Sequence, residues 1–427
     1  MDKPERPPEE QPESTPARGS LAQRVGTRRS LGEAVLVPAL AVFTALVLGA
    51  FFIAAANPTV TTSWSNVGQD PLGTLSTTWT VLRTSYLALF EGAFGNPVTI
   101  VRAFQAWGET GEVRPVLEAV RPPAESLVIA TPYIFAGLAV ALGFRGGLFN
   151  IGAEGQLFVA GLASSYVGYS LVGLPWFVHL PLTLGVGALA GAIWGGIPGY
   201  LKARTGAHEV INTIMMNWIA FRLTDYMLTG PMARPDGLPI TPLILRSAQL
   251  PALLDRPVRL HVGFFLALGA ALLVYWFLWK TPWGLEIRMV GANPRAARYA
   301  GVKVARTMVL TMALSGALAG LAGTVHILGV DRQMVRAFST GYGFDSIALA
   351  LLGNSHPAGV VLASLLFGFL RGGAARMQSV AGVPVELIRI IQGMVIIFVA
   401  APEIVRGLYR LKAARRTDTQ LVKSWGE

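Results

Sequence analysis

The chain has 427 residues, is 52% hydrophobic and only 14% charged, and has mean hydropathy +0.51 and formal net charge +11. A soluble domain carries about a quarter charged residues, so this balance excludes an ordinary soluble enzyme, and the basic excess fits topology-setting loops of a membrane protein better than a nucleic-acid interface. With no cysteine, disulfides, thiolate catalysis and cysteine metal sites are excluded as well.

The first 33 residues, beginning "MDKPERPPEEQPESTPARGS", are rich in Pro, Glu and Ser and lack a hydrophobic period, so a disordered tail is predicted over 1–33. Ala34 to Ala56 then runs without a charge, and about 20 such residues suffice to cross a hydrocarbon core of about 30 Å. The run is longer than the apolar region of a signal peptide, about 7–15 residues, so it is taken as an uncleaved first span. Segment 57–125 is polar with amphipathic pieces such as "TVLRTSYLALFEGAF", and is predicted to lie outside, its helices on the membrane surface or packed on the bundle.

Further spans are predicted at 126–144, 156–174, 180–200, 210–229, 261–279, 307–329, 343–353, 357–375 and 385–402. Arg18, Arg24, Arg28 and Arg29 precede the first span, and Arg406, Arg410, Lys412, Arg415 and Arg416 follow the last. Both termini are therefore expected in the cytoplasm. Segment 280–306 sets Lys280, Arg288, Arg295, Arg298, Lys303 and Arg306 against the single acid Glu286, which places it inside too. The fold class is an all-α polytopic membrane protein of about ten transmembrane helices, or eight if the short segments are re-entrant, with a transmembrane domain over 34–402 and a cytoplasmic tail over 403–427. A β-barrel would need short alternating segments, and none is present.

Gly187, Gly191, Gly195 and Gly199 recur every fourth residue, and Gly316 and Gly320 share that spacing. Small residues at this interval let helix backbones approach closely in lipid. No phosphate-binding loop, zinc-binding helix pair or nucleophile elbow occurs, and the five histidines have no metal-ligand spacing, so no catalytic or metal site is predicted.

Four stretches stand out against the apolar background. In "GLFNIGAEGQ", Asn150, Glu154 and Gln156 arrive among glycines. Polar groups at membrane depth face a cavity or a partner, so a broken helix or re-entrant turn is one reading and an ordinary cytoplasmic loop the other. In "GAHEVINTIMMNWIA", Glu209 stands near a helix start and Asn217 inside a span. In "WGLEIRMVGANPRAARYAGV", Asn293 suits a helix N-cap, Pro294 the first helical position and Gly301 the position past the end. Between them lie Arg295, Ala296, Ala297, Arg298 and Ala300: either a small-sided helix shaped to seat in another protein's groove or a capped surface loop. In "GYGFDSIALALLGNSHPAG", Asp345 opens an apolar run, where a carboxylate suits a helix N-terminus or a solute.

These four stretches, in this order, resemble the permease subunit of ABC importers in the branched-chain amino acid, ribose and simple-sugar permease family. Within it the chain is similar to the bacterial nucleoside permeases that work with a Bmp-type lipoprotein, a likeness resting mostly on "FNIGAEGQ". The resemblance covers roughly residues 80–410. It implies alternating access in a bacterial cytoplasmic membrane, an ATPase partner that binds ATP and Mg, a substrate-binding lipoprotein outside, and a second related permease chain. It also implies a coupling segment over Gly291 to Gly301 and translocation-path or gate residues at Asn150, Glu154, Gln156, Asn217 and Asp345. His208 departs from the pattern, where an asparagine is expected, and the N-terminal tail is long and acidic. Simple sugars are the alternative cargo. Two rivals remain: an ion-coupled secondary transporter using Glu154 or Asp345, and an intramembrane enzyme, for which no paired acids or metal cluster is found.

Overall fold

A computed structural model describes residues 31–410. Sixteen α-helices cover most of these residues, no strand occurs among them, and only two isolated β-bridges join loops. In chain order they are α1 (Leu31–Ala56), α2 (Pro58–Ser65), α3 (Pro71–Phe94), α4 (Pro97–Thr110), α5 (Arg114–Arg145), α6 (Ala153–Ser170), α7 (Trp176–Thr205), α8 (Glu209–Thr229), α9 (Gly263–Lys280), α10 (Pro282–Ala292), α11 (Pro294–Tyr299), α12 (Val304–His326), α13 (Tyr342–Leu352), α14 (Pro357–Ala381), α15 (Val385–Ala400) and α16 (Pro402–Leu408). The tails predicted at 1–33 and 403–427, with Arg18, Arg24, Arg28, Arg29, Lys412, Arg415 and Arg416, lie outside the described residues except for 31–33 and 403–410.

One local device starts many of these helices. Asn57, Asp70, Asn96, Thr281, Asn293 and His356 each accept a backbone N–H with the side chain, and each is followed by proline in the first turn. The cap satisfies an orphan donor, and proline has no N–H there to lose.

Among the described residues six helices are long and apolar enough to cross a membrane: Leu36–Ala56, Arg114–Arg145, Trp176–Thr205, Gly263–Lys280, Val304–Asp331 and Pro357–Ala381. They coincide with six of the ten predicted spans. The other four are helical but fall short. Helices α6 and α8 carry too much polar character, α13 has 11 residues and α15 has 16. Within 57–125 the amphipathic stretch 80–94 belongs to a longer helix that packs on the bundle. Helix α3 is 24 residues long and buries Ser85, Ala88, Leu89, Gly92 and Ala93. It lies so close to α14 that a Cβ on Gly92 would stand 2.9 Å from the Gly373 Cα.

Helix α5 is the centre of the bundle. From Ala130 to Gly143 every residue is buried, as expected of a helix apolar all round. Around it, α6, α9, α12, α13 and α14 supply the main core, including Leu157, Val274, Ala319, Leu349 and Phe367. A second cluster, with Ile53, Leu89, Met377, Ile388 and Ile391, ties the N-terminal helices α1 and α3 to α14 and α15. The outer faces stay apolar, as at Leu189 and Ile193 on α7 and Leu272, Leu273 and Trp276 on α9, which suits contact with lipid.

The two glycine series face each other across α7 and α12. A Cβ on Gly195 would stand 2.7 Å from the Met312 carbonyl oxygen, and one on Gly320 would stand 2.8 Å from that of Gly187. On Gly191 it would overlap the Gly316 oxygen, and on Gly316 the Gly191 oxygen. Gly199 meets the Met312 side chain at 2.7 Å, and Gly187 meets Thr324. Two helices therefore touch backbone to backbone over about three turns.

Candidate functional site

Two chain breaks meet beside this seam. Helix α5 ends at Arg145, and residues 146–152 turn back before α6 starts at Ala153. Gly147 takes φ +69, and a Cβ there would stand 3.0 Å from the Gly291 Cα. Helix α12 ends in a π-helical turn, Ile327–Asp331, and an irregular segment leads to α13 at Tyr342. Broken backbone of this kind leaves polar groups that must find partners inside the protein, and the polar residues of the 147–156 stretch supply them.

Asn150 and Gln156 form a mutual amide pair. The Asn150 Nδ2 donates to Gln156 Oε1 at 2.9 Å, and the Gln156 Nε2 donates back to Asn150 Oδ1 at 3.1 Å. Asn150 also donates to Ser315 Oγ at 2.8 Å and accepts the Gly152 N–H at 2.9 Å, while Ser315 donates to the Ala139 carbonyl at 2.6 Å. Asn217 joins from α8. It accepts the Gly155 N–H at 2.8 Å and donates to the Ile151 carbonyl at 3.0 Å. All three side chains are buried and have their hydrogen bonds made within the protein.

Glu154 reaches the other break. Its carboxylate accepts the Gly343 N–H at 2.5 Å, in the first turn of α13, where the helix dipole favours a negative charge. Asp345, also in that turn, caps nothing. It accepts a hydrogen bond from the Tyr133 hydroxyl at 2.7 Å and lies 3.3 Å from Arg371 Nη1, while Arg371 Nη2 donates to the Thr340 carbonyl at 3.0 Å. Arg371 also donates to the Tyr133 oxygen.

Above Glu154 opens a cleft of about 370 Å³ lined by Glu154, Phe158, Phe221, Asp225, Arg336, Ala337, Ser339, Gly341 and Phe344. Of the five residues expected along a path, Glu154 alone lines it. Asn150, Gln156 and Asn217 hold the break beneath, and Asp345 sits to one side with Tyr133 and Arg371. The sequence reading missed Phe158, Phe221, Asp225, Arg336 and Arg371. Arg371 and Asp225, charges within the spans predicted at 357–375 and 210–229, carried a sequence signal.

The basic ends of the helices collect at one pole. Lys202 pairs with Glu209, which also lies 3.5 Å from the Phe149 N–H. Arg145 donates to the Ser355 and Asn354 carbonyls at 2.9 and 3.1 Å, and both Arg145 and Arg288 lie over the Trp279 ring. His356 is held below the ordinary imidazole range first by burial and then by the Arg145 charge. His208 precedes α8 without capping it with its side chain.

Helix α11 hangs from this pole. Asn293 accepts the N–H groups of Arg295 and Ala296 at 2.9 and 3.0 Å, and Gly301 takes φ +85 just past the end. Two residues of the proposed docking segment point inward. Ala297 is 1% exposed and packs with Val290 and Val304, and Gly291 lies against the α5 end, where a Cβ would overlap the Arg145 carbonyl. The outward face is Arg295, Ala296, Arg298, Ala300 and Tyr299, the last 95% exposed. Among the described residues no three His, Asp or Glu gather as metal ligands.

The sequence profile described as branched-chain amino acid transport system / permease component matches residues 123–400. The guanosine ABC transporter permease protein NupP of Bacillus subtilis is 44% identical over 303 residues, covering 70% of this chain and 84% of that one. The nucleoside ABC transporter permease protein NupB of Lactococcus lactis is 34% identical over 351 residues, covering 80% and 93%. A glucose ABC transporter permease of Haloferax volcanii is 37% identical over 293 residues, covering 65% and 76%. No solved structure matches the chain. With more than half its length inside the family profile, and relatives this similar over most of theirs, the chain is a multi-pass membrane protein that belongs to the permease component family of the branched-chain amino acid type.

Proposed function

We propose that the chain is the membrane-spanning permease subunit of an ATP-driven ABC importer for nucleosides. The observation that carries this reading is the 44% identity to a guanosine permease over 84% of that protein's length. The geometry supports it. A cleft of about 370 Å³ falls within the ordinary range for small-molecule sites, about 300–1,000 Å³, and it ends at a junction of two broken helices.

In this reading the basic pole is cytoplasmic, as the positive-inside rule requires. Both termini then lie inside and 57–125 outside, and α6, α8, α13 and α15 complete about ten spans by sheltering their polar groups in the protein. Helix α11 presents Arg295, Arg298 and Tyr299 to a separate ATPase, which holds ATP and Mg. Closure of the ATPases pushes α11, and α10 passes the motion to the α5 end through the Gly291 contact. Asn150, Gln156 and Asn217 keep the 146–152 break in shape, and Glu154 ties that break to α13, so the two move as one gate. A lipoprotein delivers the solute from outside, and a second related permease completes the pore in a bacterial cytoplasmic membrane.

The test is co-purification. The tagged chain, extracted in mild detergent, is expected to carry an ATPase with a phosphate-binding loop and a second permease chain, and the complex should hydrolyse ATP faster with a nucleoside-loaded lipoprotein. A chain that purifies alone and moves solute without ATP contradicts the reading. The glucose relative favours a sugar as second reading, and glucose competing with guanosine for uptake would support it.

A further inference from the structure

We propose that the cleft above Glu154 is a solute-holding site for a planar nucleobase, and that the Asp225–Arg336 ion pair is its gate. The proposal rests on the nucleoside reading and adds to it where the base sits and what lets it in.

The walls are aromatic. Phe158, Phe221 and Phe344 all line the cleft, with Phe158 and Phe221 edge to face at 5.0 Å and Phe338 behind Phe158 at 4.8 Å. Phe344 is 45% exposed and Phe221 half-buried, so ring surface remains for a guest. Stacking on phenyl rings accepts any base, since every base has a π face, and it leaves the ribose to hydrogen-bond elsewhere. The polar groups are few: Glu154 at the floor, the Ser339 hydroxyl at the side, and Asp225 with Arg336 at the rim.

The depth of these groups follows from α8. Asn217, beside the floor, is eight residues beyond Glu209, or about 12 Å along the axis, and Asp225 is sixteen beyond, or about 24 Å. Glu209 marks the basic pole, so the floor lies near mid-depth and the rim in the far half, on the side from which an imported solute arrives.

The rim is closed by a contact suited to opening. Arg336 Nε lies 3.0 Å from Asp225 Oδ1, and both side chains are well exposed. An exposed ion pair of this kind adds little stability, so thermal motion or a docking partner can part it. When Arg336 leaves, Arg222, whose Nη1 is 3.6 Å from Asp225 Oδ2, still compensates the carboxylate. Arg336 sits in the irregular segment between Arg332 at φ +56 and Gly341 at φ +98, not on a helix that would have to move with it. The freed Asp225 carboxylate can accept N–H donors from a base edge.

The test uses the whole complex in proteoliposomes with radiolabelled guanosine. Phe221→Leu should raise the KM for guanosine at least about fivefold, the effect of losing about 1 kcal/mol of base–ring stacking, and Phe221→Trp should restore it. Because the chain has no cysteine, Asp225→Cys with Arg336→Cys can be bridged by a reducible bifunctional thiol reagent. Bridging should stop uptake, and reduction should restore it. If the unaltered complex moves guanosine but Phe221→Leu leaves KM unchanged, or the bridged rim still passes solute, the site and gate are wrong while the nucleoside reading stands. If the unaltered complex moves no nucleoside, both fall.

Discussion

Along the α7–α12 seam the chain meets itself chiefly through glycine backbones, whereas at the break beside it the buried side chains of Asn150, Glu154, Gln156 and Asn217 hold residues 146–156 to α8, α12 and α13 by hydrogen bonds. The two adjoin. The Gln156 amide would stand 3.0 Å from a Cβ on Gly195, and Ser315, which holds Asn150, is the neighbour of Gly316. The seam leaves no room for rearrangement, because closely packed interiors do not deform gradually. The junction ends in a cleft and ties together two irregular segments with single side chains. A transporter needs both: a fixed element to measure motion against, and a polar hinge whose bonds can be exchanged.

The comparison can be broken most severely at the seam. Gly191→Leu places a side chain where the Gly316 oxygen stands, and overpacking costs about 1–3 kcal/mol or more. Loss of a monodisperse peak in detergent is expected, while Gly185→Ala, with nothing within 4 Å of its Cβ, should leave that peak unchanged. At the junction, Asn150→Ala strips partners from Gln156, Ser315 and the Gly152 N–H. Each buried group left unpaired costs about 1–3 kcal/mol, so a clear fall in thermal midpoint is expected.

Glu154 sharpens the contrast, because its bond is an exchangeable one. Glu154→Ala should lower transport by about tenfold or more, since a charge-assisted hydrogen bond contributes about 1.5–3 kcal/mol and 1.4 kcal/mol is tenfold. ATPase binding should persist, and Glu154→Gln, which keeps an acceptor for the Gly343 N–H, should recover part of the rate. An unchanged rate for the alanine variant would reduce Glu154 to packing. The smallest structural effect is expected on α11. Tyr299→Ala should change stability by no more than about 0.5 kcal/mol yet weaken ATPase coupling. Ala297→Trp, whose side chain would grow into the packing against Val290 and Val304, should destabilise the chain from within.

Helices were legible where composition alone decides them. The six long apolar spans and the capped Asn293–Pro294 start are local features, and the glycine period marks a packing face whatever its partner. Two things were not legible. The full 24-residue reach of α3, of which only the amphipathic stretch 80–94 signalled a helix, hides because its buried face is built of Ser, Ala and Gly, which match an opposite glycine face and raise little hydropathy signal. The site's partners are also distant in sequence: Tyr133 and Asp345 are 212 positions apart, and Arg371 reaches Tyr133 across 238. The sequence pointed to Asn150, Gln156 and Asn217 because they are polar in apolar surroundings. It could not tell a side chain that satisfies broken backbone from one that faces a solute.

The most direct test of the central claim is guanosine uptake by proteoliposomes holding the permease, its ATPase, the second permease and the lipoprotein, with ATP present or absent on the ATPase side and a protonophore added in parallel. Uptake that requires ATP and ignores the protonophore is the predicted result. Uptake that persists without ATP and collapses with the protonophore would contradict it and make the chain an ion-coupled transporter.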